Sequence, residues 1–398
     1  MPSQSDAYVS RKNVDREPLW QNRQPRLSHL DIELTERCNN ACQHCYINLP
    51  AGDTGAASRE LNTQQWQDIL RQAADLGALT VRITGGEPLL REDFTDLYLY
   101  ARNLGLSVEL FTNARLITPQ LADLFARIPP RHRIEITVYG MTAESYDAAA
   151  CAPGAYAQFR RGVDLLLERR IPFTVKMALL PPNRREREAF ARWSASLPWS
   201  DGEPQYITTF QLRSRRDNAN RNRLICSIRL NPAEAAALQI PSSERGWKNM
   251  EQFCSRFIGP AGDTLLTCGA GSSGCVDAYG RYQACMLLRT PELTYDLRQG
   301  TLQDALDNFF PKLKDLKARH PAYLERCTNC FLHGLCEQCP AYSWSEHGTL
   351  DTPVEYLCEK AHAQARLLGL LKEGEKGWEV NDWQERIRSS TIIKQVDR

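Results

Sequence analysis

The sequence predicts an α/β chain: an open, partial barrel of six strand–helix repeats, followed by a small, loop-rich, cysteine-rich domain. Three observations carry this expectation. Short strand-like runs alternate with helical patterns between residues 28 and 215, and repeats of that kind build a parallel sheet. Within the strand-like runs apolar and polar residues alternate, whereas parallel strands buried on both faces usually read as continuous apolar runs. Of the 14 cysteines, Cys268, Cys275, Cys285, Cys327, Cys330, Cys336, Cys339 and Cys358 fall in the C-terminal third.

The predicted strands are 30–34, 81–84, 108–112, 134–139, 173–178 and, with a weaker pattern, 207–212. A helix is expected over 63–76, where Trp66, Ile69, Leu70 and Ala73 recur at helical spacing before Gly77. Another is expected over 156–169, with Phe159, Val163, Leu166 and Leu167 on one face. If the apolar positions of the strands meet the helices, the alternate set faces a polar interior: Glu33, Arg82, Glu109, Glu135, Tyr139, Lys176 and Gln211. Charged interior positions on six strands point to an open barrel around a ligand cavity. A closed eight-stranded barrel fills its interior with packed side chains.

Length and composition set the frame. The chain has 398 residues, 42% of them hydrophobic, which suits roughly two to three folded domains. The net charge of +1 gives no global electrostatic argument for nucleic acid or a membrane surface. The stretch 1–13 is polar, and no run approaches the roughly 18 apolar residues of a membrane span. A cytoplasmic location is expected. Cysteines in such a compartment are reduced thiols available for metal rather than a disulfide framework. Cys151, Cys226 and Cys254 stand outside any cluster spacing and are expected to be small buried hydrophobes.

Basic residues concentrate at Arg184, Arg185 and Arg187 and at Arg213, Arg215, Arg216, Arg221 and Arg223. A solvated surface and a dock for an acidic peptide or carboxylate both fit this pattern.

The stretch Cys38-Asn39-Asn40-Ala41-Cys42-Gln43-His44-Cys45 places three thiols within eight residues. Three thiolates hold three corners of a four-iron cluster, and the fourth iron stays open to another ligand. A zinc site completed by His44 or a distant residue is the alternative, although zinc motifs usually pair Cys-x2-Cys with a second such pair. Further on, Thr84-Gly85-Gly86-Glu87-Pro88 follows the second strand. Adjacent glycines there permit close backbone approach and expose amides, and the carboxylate suits an ammonium group. An ordinary turn has the same residues.

Cys-x3-Cys-x2-Cys just after a strand, with an aromatic ring (His44) before the third cysteine, resembles the signature of the radical S-adenosylmethionine (radical SAM) superfamily. Gly85-Gly86-Glu87-Pro88, about 40 residues on, resembles the motif with which that family binds the methionine amino group. The resemblance implies a [4Fe–4S] cluster on Cys38, Cys42 and Cys45. S-adenosylmethionine would chelate the open iron and be cleaved to a 5′-deoxyadenosyl radical. It further implies that His44, Gly85, Gly86, Glu87, Asn113, Thr137 and Tyr139 lie at the cofactor.

The later cysteines resemble the SPASM extension of these enzymes. Cys268-x11-Gly280-x4-Cys285 fits its first half, and Cys327-x2-Cys330-x5-Cys336-x2-Cys339 with Cys358 fits its second. By that resemblance one auxiliary [4Fe–4S] cluster takes Cys268, Cys275, Cys285 and Cys339, and another takes Cys327, Cys330, Cys336 and Cys358, giving three clusters in all. Crossing of a cysteine before proline to the other cluster has a parallel in bacterial ferredoxins, and Pro340 follows Cys339. Two features depart from the family: its block usually ends Cys-x3-Cys, and Cys275 is an additional ligand. On spacing alone, the 327–339 block also reads as a zinc ribbon.

The expected organisation is an N-terminal extension (1–27), a radical SAM core (28–225), a bridge (226–262), an iron–sulfur SPASM domain (263–365) and a tail (366–398). The implied reaction is hydrogen abstraction from a peptide or protein side chain, giving a crosslink, an oxidation or an epimerisation. A haem-precursor decarboxylase is the small-molecule alternative, and an iron–sulfur electron carrier or zinc scaffold is the non-catalytic one. Candidates for acid–base work in the lumen are Arg82, Glu109, Glu135, Tyr139 and Lys176, each of which also suits an internal ion pair. An external donor, flavodoxin or ferredoxin, would supply electrons. About 28 residues precede the first strand, too few for a domain of ordinary size, so a leader is expected to bind a separate partner or the barrel's own surface. Met286, directly after Cys285, stands where a sulfatase-maturing enzyme would typically carry aspartate.

Overall fold

Leu30 and Ile32 are fully buried on strand β1 (His29–Glu33), and the polar residues between them point the other way. The same alternation orders the strands that follow. The computed structural model describes residues 27–200, 203–241, 243–268, 270–271 and 273–390. The expected N-terminal extension up to residue 26 and the end of the expected tail, 391–398, lie outside the described residues.

The described chain forms two compact units. The first contains the residues up to Ile207 and those from 269 to 313, and the second contains Thr208–Cys268 and those from 314 onward. The segment expected as the SPASM domain therefore contributes to both units.

The first unit is built on one open sheet. Strands β4 (Thr80–Thr84), β5 (Ser107–Thr112), β6 (Arg131–Val138), β7 (Phe173–Ala178) and β8 (Gln205–Ile207) follow β1 in spatial order, each parallel to its neighbour. These six strands and their crossover helices form the partial barrel. On the other side of β1 the sheet continues through β9 (Gly274–Val276), parallel to β1, then β10 (Arg281–Gln283) and β11 (Thr294–Asp296), both antiparallel. Two short strands, β2 (Arg37–Cys38) and β3 (Leu49–Pro50), pair separately.

Val81, Ile83, Val108, Leu110, Ile134, Ile136, Val138, Phe173 and Met177 are buried. Helix Thr63–Asp75 covers part of this layer with Trp66, Ile69, Leu70 and Ala73. It starts at an Asn62–Gln65 capping box, which satisfies two backbone donors. Helix Ala155–Glu168 buries Phe159, Val163 and Leu166. Gly162 is required there, because a Cβ would collide with the carbonyl of Ala114.

Three expectations need correction. The sixth strand lies at Gln205–Ile207, upstream of 207–212, and the following residues are buried in irregular backbone. The physical reason is a competing side chain 19 positions on: the Phe210 carbonyl accepts both Nε and Nη2 of Arg229, at 3.0 and 2.7 Å, where a strand neighbour would be needed. Gln211 consequently leaves the barrel interior, belongs to the second unit and donates to the Ala341 carbonyl at 3.2 Å. Of the three isolated cysteines only Cys254 is buried. Cys151 ends helix Ala143–Ala150 in a left-handed conformation and is exposed, and Cys226 is exposed on helix Ala219–Ile228, which buries Ile225 and Ile228 instead.

In the second unit, helices Glu244–Phe257 and Glu355–Leu367 contribute to a core of Cys254, Phe331, Leu332, Leu335, Ala361 and Ala365. Among the described residues no helix is long and apolar enough to cross a membrane.

Candidate functional site

The chain leaves β1 through Thr35–Arg37 and enters the loop that carries Cys38, Cys42 and Cys45. The loop is fixed before its thiols are considered. Arg37 pairs with Glu60 (Nε to Oε1, 2.9 Å), and Glu60 also meets Arg91 at 3.4 Å. Gly85 and Gly86, at the end of β4, lie directly against this exit segment. Gly86 N–H donates to the Thr35 carbonyl at 2.6 Å, and Glu87 N–H donates to the Arg37 carbonyl at 2.9 Å. A Cβ at Gly85 would strike the Thr35 carbonyl, and Gly85 has φ +135°. At Gly86 a Cβ would strike the Arg37 carbonyl and stand 2.6 Å from that of Glu36. Glycine is thus demanded by approach to the cysteine loop's own backbone.

Glu87 is fully buried. Its carboxylate accepts from Leu89 N–H (3.2 Å), Thr112 Oγ1 (2.8 Å) and Asn113 N–H (2.8 Å), which ties the end of β5 to the glycine loop. Burial pushes its pKa up to about 7, against these three donors. Asn113 then reaches the cysteine loop, donating to Asn39 Oδ1 at 2.7 Å and toward Cys38 Sγ at 3.9 Å.

The three thiols interact with one another. Cys38 accepts from Asn40 N–H at 3.4 Å, and Cys45 accepts from Asn48 N–H at 3.4 Å. The Tyr139 hydroxyl bonds Cys42, and the Tyr139 ring lies 5.8 Å from that of His44. Burial, with the nearby Glu87 and Cys45, pushes Cys38 up to about 12. Burial and the charges of Cys38 and Cys45 push Cys42 well above the usual thiol range. Three soft sulfur donors on one loop fit a cationic, thiophilic cluster, since metal coordination deprotonates a thiol outright.

The expected lumen residues form a charge ladder. Asp31, Arg82, Glu109 and Arg133 are register partners across β1, β4, β5 and β6. Arg82 meets Asp31 at 3.0 Å and Glu109 at 2.7 Å, while Arg133 meets Glu109 on its other oxygen. Lys176 pairs with Glu135, and Arg82 and Lys176 lie 4.8 and 4.3 Å from the Phe111 ring centre. Burial would raise Glu109, but Arg82 and Arg133 outweigh it and hold the carboxyl below its ordinary value. Each charge has an opposite neighbour, so these side chains are engaged in mutual pairing. Thr137 and Tyr139 occupy the same face of β6 and the residue after it, nearer the cysteine loop's end of the strand.

A second buried ion group sits at the same end. Arg289 is enclosed with Glu33 (Nη2 to Oε2, 2.6 Å) and Glu36 (3.3 Å), and Tyr279 donates to Glu36 at 3.1 Å. Tyr46, directly after Cys45, donates to Met286 Sδ at 3.7 Å. Cys275 is fully buried on β9 beside Asp31, and Cys285 follows β10.

In the second unit, Cys327, Cys330, Cys336 and Cys358 line one cavity, with Arg326 and His362 beside them. Cys339 starts helix Pro340–His347. The two residues between Cys336 and Cys339 are both clamped: Glu337 meets the buried Lys360 at 2.9 Å, and Gln338 accepts from Val354 N–H at 2.9 Å. Four part-buried thiols around one cavity fit a four-cysteine cluster as a donor set.

The family model of the radical SAM superfamily matches residues 32–194. Residues 32–194 form a radical SAM domain. Among curated relatives, the AdoMet-dependent heme synthase of Methanosarcina barkeri is 30% identical over 162 residues, 41% of this chain and 45% of that protein. The PqqA peptide cyclase of Rhizobium meliloti is 34% identical over 143 residues, 36% of this chain and 37% of that protein. The chain thus spans less than half the length of the curated relatives it matches. The solved structure of anSMEcpe with bound AdoMet and Cp18Cys peptide has the same overall fold, with a TM-score of 0.57 at 13% identity over 91% of this chain and 99% of that one.

The radical SAM domain brings Cys38, Cys42, Cys45, His44, Asn113 and Tyr139 together, with Gly85–Glu87 packed on the approach to the loop. Several of its supports were not anticipated from sequence. Arg115 donates Nε to Gln158 at 2.8 Å and also holds the Asn39 carbonyl, bracing the cysteine loop from behind. Arg289 and Glu36 form the buried ion group. No local pattern marks these residues, because their partners lie 43 to 256 positions away. The basic stretches have structural tasks as well: Arg213 pairs with Asp217 at 2.8 Å, and Arg216 donates to the Trp344 carbonyl at 2.8 Å.

Proposed function

We propose that this chain is a radical SAM enzyme that modifies a peptide or protein side chain. The observation that carries the proposal is the backbone lacing of Gly86 and Glu87 to Thr35 and Arg37, which holds the glycine loop and the cysteine loop as one rigid body. When bound on Cys38, Cys42 and Cys45, a [4Fe–4S] cluster and S-adenosylmethionine supply reductive cleavage to a 5′-deoxyadenosyl radical that takes a hydrogen atom from the substrate.

The residues of the chain orient and insulate that chemistry. Gly85 and Gly86 would let the methionine end of the cofactor approach the backbone, while buried Glu87 holds the loop to Thr112 and Asn113. Tyr139 fixes Cys42 and, with His44 and Thr137, would border the cofactor. The ladder from Asp31 to Lys176 neutralises the lumen charge by charge and leaves no surplus of either sign among these six residues. The C-terminal cysteines are proposed to hold two auxiliary clusters on the sets given by the SPASM pattern, with a flavodoxin or ferredoxin as electron donor and a separate leader-binding protein where the substrate carries a leader.

Relatives named peptide cyclase and the fold shared with a peptide-bound enzyme support the peptide reading. The heme synthase relatives favour a tetrapyrrole instead. Anaerobically reconstituted protein, given dithionite, S-adenosylmethionine and either a short peptide encoded beside its gene or a tetrapyrrole haem precursor, distinguishes the two. The expected result is a peptide product of altered mass with deuterium carried from labelled peptide into 5′-deoxyadenosine. Deuterium transfer from the tetrapyrrole alone would overturn the peptide assignment.

A further inference from the structure

The segment after the last cysteine-bearing helix returns to the cavity lined by Cys327, Cys330, Cys336 and Cys358. Gly377 packs so tightly that a Cβ there would stand 2.7 Å from Cys330 Sγ and 2.8 Å from Leu332 Cγ. Its carbonyl accepts from Phe331 N–H at 3.2 Å, and its N–H donates to His362 Nε2 at 3.0 Å. His362 therefore carries its proton on Nδ1, which faces the Cys358 carbonyl at 2.8 Å and the Cys358 sulfur at 3.7 Å. Trp378 meets the edge of His362 at 5.3 Å between ring centres and receives two cations, Arg326 at 4.8 Å and Lys376 at 5.8 Å. Arg326 also donates Nη2 to Cys358 Sγ at 3.5 Å.

We propose that residues 376–378 are a strap that closes this four-cysteine site, and that Arg326, held against Trp378, is a positioning residue that sets the reduction potential of the cluster there. The inference rests on the reading that these four cysteines hold a cluster. Adding an electron makes the cluster more negative, so a guanidinium hydrogen-bonded to a ligand sulfur favours the reduced form. Glu355 pairs with Arg326 at 2.7 Å and opposes this effect, but its side chain is 63% exposed against 22% for Arg326. Water screens the carboxylate more than the guanidinium, which faces the sulfur. Lys376 adds a second positive charge on the same ring. Gly377 is the hinge of the arrangement, since only a residue without a side chain lets the strap reach Cys330.

The test is potentiometric EPR with iron analysis on the reconstituted holoenzyme, with Cys358→Ala assigning the signal of this site by subtraction. Arg326→Gln and Trp378→Leu are expected to retain full iron and to make this one cluster harder to reduce, about tenfold less reduced at a fixed potential for Arg326→Gln, or about 59 mV for a one-electron couple. The other signals stay where they were, and Arg326→Lys recovers part of the shift. Gly377→Ala is expected to lose about four irons, the content of one cluster. Full iron and unchanged midpoints in all four strap variants would overturn the inference while leaving the cluster in place. Wild-type protein without any signal sensitive to Cys358→Ala would overturn the cluster reading and the strap with it.

Discussion

Gly86 gives its backbone N–H to the carbonyl of Thr35 at 2.6 Å, and a Cβ on Gly86 would strike the carbonyl of Arg37, two residues on. The contact fastens the end of one barrel strand to the exit of its neighbour, immediately before Cys38, the first cysteine of the loop. Gly86→Ala sets a methyl against the backbone carbonyls of Glu36 and Arg37, neither of which is the end of a flexible side chain. The backbone must shift, at a cost of about 1–3 kcal/mol. Thermal melting is expected to show that loss, and equilibrium binding of S-adenosylmethionine to the reconstituted protein is expected to weaken more than tenfold. Unchanged affinity would separate the glycine loop from the cofactor.

Glu87 makes the stability of the first unit depend on pH. Burial raises its folded pKa to about 7, above the ordinary 4.5 of a glutamate carboxyl, so the folded state binds the proton more tightly than the unfolded chain. The resulting stabilisation is complete below pH 4.5 and disappears as pH rises through 7. At roughly 1.4 kcal/mol per pH unit, the wild type gains up to about 3 kcal/mol from this group on the acidic side. Denaturant unfolding of the wild type and Glu87→Gln between pH 5 and 8 should therefore converge differently, with the variant lacking this slope. Parallel pH profiles would show that Glu87 titrates as it does in the unfolded chain.

Arg289 holds two buried carboxylates apart from the solvent that would otherwise stabilise them. Its side chain is 1% exposed, that of Glu33 is fully buried and that of Glu36 is 4% exposed. Arg289→Met leaves the acids without their shared cation and should destabilise the fold by about 3–5 kcal/mol. Adding Glu33→Gln and Glu36→Gln removes the uncompensated charge, and the triple variant is expected to recover more than half of that loss. A triple variant no more stable than Arg289→Met in urea unfolding would contradict the ionic account.

The barrel was legible because its alternation is local: Leu30, Ile32, Val81 and Ile83 announce a buried face within five-residue windows. Helix 63–75 was legible for the same reason, from the spacing of Trp66, Ile69, Leu70 and Ala73. Residues 208–212 carry a similar apolar pattern, yet Arg229 takes the Phe210 carbonyl and no strand forms. That competition is tertiary and leaves no mark in the sequence. The cysteines that share the loop at 38–45 and the cavity at 327–358 were legible as groups by spacing. The side chains that support them were not: Arg115, Arg289 and Arg326 resemble any surface arginine until the fold brings Asn39, Glu33 and Cys358 to them. Gly377 was equally silent, since its meaning is the distance to Cys330.

Two lumen candidates take the internal pairing that the sequence also allowed. Glu135 and Lys176 suited either proton transfer or an internal ion pair, and the fold pairs them with each other. Lys176→Met is expected to leave 5′-deoxyadenosine formation within about twofold of wild type while lowering stability by about 1–3 kcal/mol, the cost of a buried carboxylate losing its partner. A loss of turnover beyond a hundredfold with stability unchanged would restore Lys176 as an acid–base group.

The central claim is that Cys38, Cys42 and Cys45 hold the cluster at which S-adenosylmethionine is cleaved. Anaerobic reconstitution of the wild type and of C38A/C42A/C45A, followed by iron analysis and quantification of 5′-deoxyadenosine with dithionite, tests it most directly. The account predicts about twelve irons and cleavage for the wild type, and about eight irons with no cleavage for the variant, one four-iron cluster fewer. Cleavage by the variant, or none by fully loaded wild type, would contradict it.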